Sequence, residues 1–266
     1  MIKHTLFVLI FLLQFCFLQA GIVVLNGLSH THKVQSGKVY RGKISIENTG
    51  KQPQNVKLFL QDFSYQSNGT IQYSAPDSNI RTNTSWLRIN TNLVHLKAKE
   101  KTEILYEITV PDKISGPGSY WSVIIVEPVE EIKPDDQIQG VSITSVIRYA
   151  VQIITDLDSE KAKPDLKFEG IKMEKENGKR LLNAAVANTG NLYCKPTVTV
   201  EIYNKSDGQK IGTFSSQAMG LLPQTSKLFP IDLEKVAVGK YNAVLIATDE
   251  DENAFALNVE LEVKDD

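Results

Sequence analysis

The chain has 266 residues with a formal net charge of −2, and 42% of them are hydrophobic. A slightly acidic balance argues against a nucleic-acid binder, which carries a basic stripe. The only cysteines are Cys16 and Cys194, so neither a disulfide scaffold nor paired C-x-x-C metal spacing is available.

The chain opens on Met1-Ile-Lys3-His4, an apolar run from Thr5 to Leu18, and Gln19-Ala20-Gly21. One basic residue, an apolar stretch and a small residue at the cut predict a secretory signal peptide over residues 1–20. The run is short for a membrane span, which needs about 20 residues. Leu13-Gln-Phe-Cys16 lacks the small residues expected before a lipidated cysteine. The mature chain is therefore expected to have no membrane span and to be exported, to the periplasm or the cell surface. Cys16 leaves with the leader, so stability has to come from packing. Asn68, Asn83 and Asn204 head Asn-x-Ser/Thr triplets, read here as chance matches in a bacterial product.

Beyond the leader, period-two alternation dominates. Tyr40, Gly42, Ile44 and Ile46 share one face, as do Val56, Leu58 and Leu60, and then Ile104, Tyr106, Ile108 and Val110. Strands of that kind are half buried, as in antiparallel sandwiches. Tyr120-Trp-Ser-Val-Ile-Ile-Val126 is apolar on both sides. Val141 to Thr155 reads as one long β-branched strand. Both belong at a sheet centre or under a covering segment. Glu127-Pro-Val-Glu-Glu-Ile-Lys-Pro-Asp-Asp136 reads as a long exposed loop between them. Asp158-Ser-Glu-Lys-Ala-Lys-Pro164 is charged without an apolar face and reads as a linker.

The second half repeats the pattern, with a strand beginning at Leu166 and Phe168 and others expected at Arg180–Asn188, Thr197–Tyr203, Lys210–Phe214, Lys227–Ile231, Lys240–Thr248 and Ala254–Val263. It also echoes the first half. Ile44-Ser-Ile-Glu-Asn-Thr-Gly50 precedes Val56-Lys-Leu-Phe-Leu60, and Ala185-Val-Ala-Asn-Thr-Gly190 precedes Val198-Thr-Val-Glu-Ile202. Short strands with turns every 8–12 residues are the immunoglobulin-like signature. The expected fold is all-β: two tandem immunoglobulin-like β-sandwiches at 21–157 and 165–266, joined by 158–164.

No G-x-S-x-G elbow, H-E-x-x-H pair or phosphate-binding loop occurs. His30-Thr-His32 places two rings on one side of a strand, too few for a metal without a third ligand. Cys194 next to Lys195 reads as a structural cysteine, and Asp249-Glu-Asp-Glu252 as a solvated hairpin tip. No catalytic residue, metal or cofactor is expected, and a hydrolase with a scattered active site is a minor reading. The aromatics Trp86, Tyr120 and Trp121, with Arg148 and Tyr149, are the candidate binding residues. Tyr120 and Trp121 cannot both face one core, because successive side chains point to opposite sides. One of them must meet solvent, a partner or a covering segment.

Lys43-Ile-Ser-Ile-Glu-Asn-Thr-Gly50, Gln61 to Gly69, Thr84-Ser-Trp-Leu87, Tyr106 to Pro111, Gly116 to Glu127 and the strand around Ile147-Arg148 resemble the peptidoglycan-binding domain of WxL-interacting proteins from bacterial surfaces. The second half is similar to the sandwich that follows in such proteins. More distantly, the first half resembles periplasmic pilus-type chaperones. The resemblance implies a non-enzymatic envelope protein that binds a cell-surface or secreted protein, or a cell-wall glycan. The alternative is a chaperone acting by strand addition, with Val141–Thr155 as the edge and Arg148 holding a carboxylate.

Overall fold

The computed structural model describes residues 21–129, 146–176, 178–251 and 253–264. The expected signal peptide and most of the Glu127–Gly140 loop lie outside the described residues.

The first sandwich runs through β1 (Ile22–Val24), β2 (Ser29–Val34), β3 (Val39–Asn48), β4 (Gln54–Tyr65), β5 (Ile71–Ser74), β6 (Leu87–Ile89), β7 (Leu93–Leu96), β8 (Lys101–Thr109), β9 (Gly118–Val129) and β10 (Tyr149–Leu157). One sheet has the order β1-β3-β8-β6. The other has the order β2-β10-β9-β4-β5, with β7 also on β4. Their facing sides hold Ile44, Ile46, Val56, Leu58, Ile104, Tyr106, Ile108, Ile124, Val126, Val151 and Ile153, all buried. The alternating positions of the sequence are thus the core positions, as a half-buried pleated surface requires.

The long strand expected at Val141–Thr155 starts only at Tyr149 among the described residues. Val146, Ile147 and Arg148 precede it as coil, and the first two are exposed. β-Branched composition predicts that a segment can lie in a sheet, but not where its pairing with a neighbour begins. Here β9 partners it from Tyr149↔Val126 to Leu157↔Gly118.

The second sandwich contains β11 (Leu166–Glu176), β12 (Lys179–Asn188), β13 (Thr197–Asn204), β14 (Lys210–Ser215), β15 (Thr225–Asp232), β16 (Gly239–Thr248) and β17 (Ala254–Val263). Its sheets have the orders β11-β12-β15 and β14-β13-β16-β17. The core between them is built on Leu182, Val198, Val200, Ile202, Phe229, Ile231 and Leu245, all fully covered. A short 3-10 turn at Ser159–Lys161 leads from β10 toward β11. The fold is all-β, with two tandem immunoglobulin-like sandwiches.

The two modules share apolar packing. Phe63, Tyr65, Trp121, Val123, Ile125 and Ile154 of the first belong to the same buried cluster as the second core. The Tyr65 hydroxyl donates to the Gly220 carbonyl (3.2 Å) and accepts from the Leu222 N–H (3.0 Å). Ser226 donates to the Gln66 side chain (2.9 Å) and accepts from the Ser67 N–H (2.9 Å). On β9 the Ser119 hydroxyl accepts from the Tyr193 N–H (2.7 Å), and the Ser119 N–H donates to the Asn191 carbonyl (2.8 Å). Gly118 sits at φ +116°, and a β-carbon there would lie 2.1 Å from the Asn191 carbonyl oxygen. The second module could not approach β9 so closely over any other residue.

Candidate functional site

Each sequence-derived candidate has a definite place. Trp86, on the 3-10 turn Thr84–Trp86, is buried against Tyr120 with ring centroids 4.9 Å apart. Tyr120 faces the first core, donates to the Gly116 carbonyl (2.9 Å), and lies under the Arg81 guanidinium at 5.2 Å. Trp121 points the opposite way, as strand parity demands. The segment that covers it is the second sandwich, and its indole N–H donates to the Phe63 carbonyl (2.7 Å). All three rings are at least 93% covered, at 7%, 3% and 5% exposure, so they do not form an open ring platform.

Arg148 and Tyr149 lie at the other end of the β9–β10 pair. Tyr149 is six residues from the Tyr120 level in the β9 register, about 20 Å at ~3.3 Å per residue. Arg148 is ion-paired with Glu127 on β9. Tyr149 packs against the rim of the first core. The five candidates therefore form no single site. The structure joins Trp86 to Tyr120, places Trp121 at the junction, and leaves Arg148 and Tyr149 apart from them.

The edge considered for strand addition, Val141–Thr155, is occupied over its last four residues. From Gln152 to Leu157, β10 pairs in parallel with Ser29–Val34 of β2. His30 and His32, alternate residues of β2, both reach the Tyr106 hydroxyl, at 3.1 and 2.9 Å. Burial, then the neighbouring His30, holds His32 below the 6.5 of an unburied histidine, and burial pushes Tyr106 up to about 12. The pair fastens an edge strand. Among the described residues, no group of three or more His, Cys, Asp or Glu side chains is placed to hold a metal.

Cys194 is buried. Desolvation first, then Asp249 and Glu250, raise its thiol to about 12, which removes the thiolate needed for nucleophilic work. Asp249 closes the acidic tip on itself by accepting from the N–H groups of Asp251 and Asn253. Asn83 is fully buried. It donates to the Tyr120 and Ile153 carbonyls and accepts from Ser122, so it serves as an internal spacer.

Depressions among the described residues include two shallow ones. One, of 440 Å³, lies at the junction between Arg81, Lys163, Asp165 and Gln224. The other, of 380 Å³, lies on the outer sheet of the second sandwich among Tyr203, Asn242, Val244, Asn258 and Glu260. Neither is an enclosed small-molecule site.

The outer face of β14-β13-β16-β17 is a further candidate surface. Strand register lines up Thr199, Ile246 and Ala256 in one row and Glu201, Val244 and Asn258 in the next. Thr213 and Ser215 of β14 extend these rows. Val244 and Ile246 are half-buried at its centre, Val244 between Glu201 and Asn258 and Ile246 between Thr199 and Ala256. Charges sit toward one end as local pairs: Lys210 with Glu201 (2.6 Å) and Lys205 with Glu260 (2.8 Å). An apolar centre with a polar rim is the anatomy of a protein contact. Sequence reasoning passed over this face. Val244 and Ile246 lie in a strand whose other side is equally apolar, so composition alone does not say which side is wet.

Residues 138–266 match the family model described as WxL Interacting Protein, host binding domain. The match spans the second sandwich and begins ahead of β10. The family resemblance read from the sequence holds, with the matching model falling on the second half. No curated protein matches the chain. Three solved structures, each at 14% identity and covering 90% of this chain and 98% of their own, are chaperones of fimbrial systems. They are a chaperone–tip adhesin complex of CFA/I fimbriae (TM-score 0.48), the class 5 fimbriae chaperone CfaA (0.47), and the CsuC–CsuE pre-assembly complex of Acinetobacter baumannii Csu pili (0.45).

Proposed function

We propose that this chain, which is similar to the WxL-interacting proteins through its second half, is an exported, non-enzymatic binding protein that holds a protein partner on the outer sheet of its second sandwich. The observation that carries the reading is the β13–β16–β17 face, with Val244 and Ile246 at its centre, lying inside the stretch that matches a host binding domain. The partner class that this description favours is a protein of a host surface. A glycan ligand has less support, since Trp86, Tyr120 and Trp121 offer no exposed ring for a sugar to stack on. The first sandwich, taken as residues 21–157, acts as the support, and the second, 165–266, as the contact module. Export rests on the leader-like residues 1–20.

The test is retention of host-surface proteins on immobilised protein, comparing wild type with Val244→Asp and Ile246→Asp. A carboxylate at the centre of a protein contact is expected to weaken retention by about tenfold or more, the scale of a buried anchor. Far-ultraviolet circular dichroism should remain that of the wild type. Equal retention by all three proteins would remove the outer sheet from consideration.

A further inference from the structure

A strand at the edge of a sheet exposes a row of unpaired N–H and C=O groups, and proteins generally blunt such edges. Among the described strands this chain does so almost everywhere. β1 and β6 have three residues each, β5 and β7 four. β2 is short and alternates polar residues, Ser-His-Thr-His-Lys. β11 carries Lys167 and Lys172 and is broken by a bulge between Phe168 and Gly170. β15 holds Pro230, and β14 is six residues long beside a register shift.

β17 differs from all of these. It has ten residues, Ala254–Val263, without proline, glycine or lysine, and it pairs with β16 without a register shift. Its inward set is Phe255, Leu257, Val259, Leu261 and Val263. The first three remain half-buried, so the core is incompletely closed along this side. Its outward set is Ala254, Ala256, Asn258, Glu260 and Glu262, all exposed.

We infer that β17 pairs antiparallel with β17 of a second copy of this chain, about a twofold axis beside Asn258. The strand is self-complementary in that register. Phe255 meets Leu261 of the second copy and Leu257 meets Val259, which puts apolar against apolar on the core side. Outward, Ala254 meets Glu262, Ala256 meets Glu260, and Asn258 meets its own equivalent. Every long carboxylate faces a small residue, and no two carboxylates stand opposite. Moving the axis to Glu260 would set that carboxylate against itself, which antiparallel pairs disfavour. A foreign strand could also occupy the edge, but nothing in the sequence of β17 requires one. Pairing joins two four-stranded sheets into one continuous sheet and sets two outer faces side by side, as an isologous interface does. It does not depend on which protein that face binds.

The experiment is sedimentation equilibrium of the purified protein and of Asn258→Glu, an exposed outward substitution that places two new carboxylates opposite one another. Wild type is expected to dimerise and Asn258→Glu to associate about tenfold more weakly or less, with its thermal midpoint in dilute solution unchanged. As a second measure, Asn258→Cys should form an interchain disulfide on mild oxidation while Ala254→Cys does not, because directly opposed residues lie about 4.5–5.5 Å apart, within disulfide reach. A wild type monomeric at every concentration would overturn the proposal. So would an Asn258→Glu protein that dimerises like wild type. A wild type that does not self-associate but takes up a foreign strand along β17 would give the edge to that strand, and the self-pairing would be wrong.

Discussion

Asn48 and Asn188 explain the repeated Asn-Thr-Gly. Both are fully buried. Each side-chain amide donates across the turn, Asn48 to the Gln52 carbonyl (2.8 Å) and Asn188 to the Leu192 carbonyl (2.8 Å). Each also donates to a distant segment: Asn48 to Lys97 (3.1 Å) and Asn188 to Leu221 (3.3 Å). Each side-chain oxygen accepts from the N–H of the following glycine, Gly50 or Gly190. The partner segments correspond as well, since Lys99 and Gln224 donate their N–H groups to the two asparagine carbonyls and both sit at positive φ. Only a side chain that both donates and accepts can do this. Asn188→Asp would set a carboxylate against two carbonyls, and a loss of about 3 kcal/mol is expected from a buried group left with repulsive partners. Urea denaturation checks it, and a change below ~0.5 kcal/mol, typical of surface substitutions, would refute the assignment. The triplet was legible as a turn. Its burial was not, because the carbonyls it satisfies lie far away in the chain.

At the scale of elements, strand positions in the second half were read to within about two residues, the usual uncertainty of strand ends. Ala254–Val263 agrees at both ends. Alternation was clear in β13, β16 and β17, each of which has one wetter face, while β12 is buried throughout from Leu182 to Asn188. Reading failed where a strand is short, and it missed the ends of β9, expected at Tyr120–Val126 and found at Gly118–Val129. β9 is nearly all buried, so its periodicity is flat, and β1, β5, β6 and β7 are too short for a period to register. β2 was visible only through its two histidines. Their attachment to Tyr106 makes the strand pH-sensitive. His32 has a lowered pKa in the folded chain, so the unfolded chain binds the proton more readily. The contribution of this site is full above 6.5 and is lost as the pH falls through the lower folded value. His32→Gln should flatten that part of the stability–pH curve, measured by thermal melts from neutral pH downward. An unchanged slope would mean that other groups carry it.

For the molecule as a whole, two sandwiches in tandem were legible, and the short linker implied that they touch, but most of the residues that join them were not. The charged run Asp158–Pro164 reads as a linker, and of the residues that join the modules, Tyr65, Trp121 and Gly118, only Trp121 was marked, as one of a pair that must meet solvent, a partner or a covering segment. Their role depends on what folds over them. Trp121→Ala should cost about 3–5 kcal/mol, the range for deleting a large buried aromatic. It also removes the shared part of the core. Calorimetry is therefore expected to show one transition for wild type and two for the variant. A single transition in both would mean that the modules do not need this contact to unfold together.

The glycine at position 118, pressed on the Asn191 carbonyl, has a mechanical consequence. With backbone touching backbone at that point, the elbow has no slack to take up when the distal module is tugged. A joint of this build is expected to resist bending where Gly118 meets Asn191.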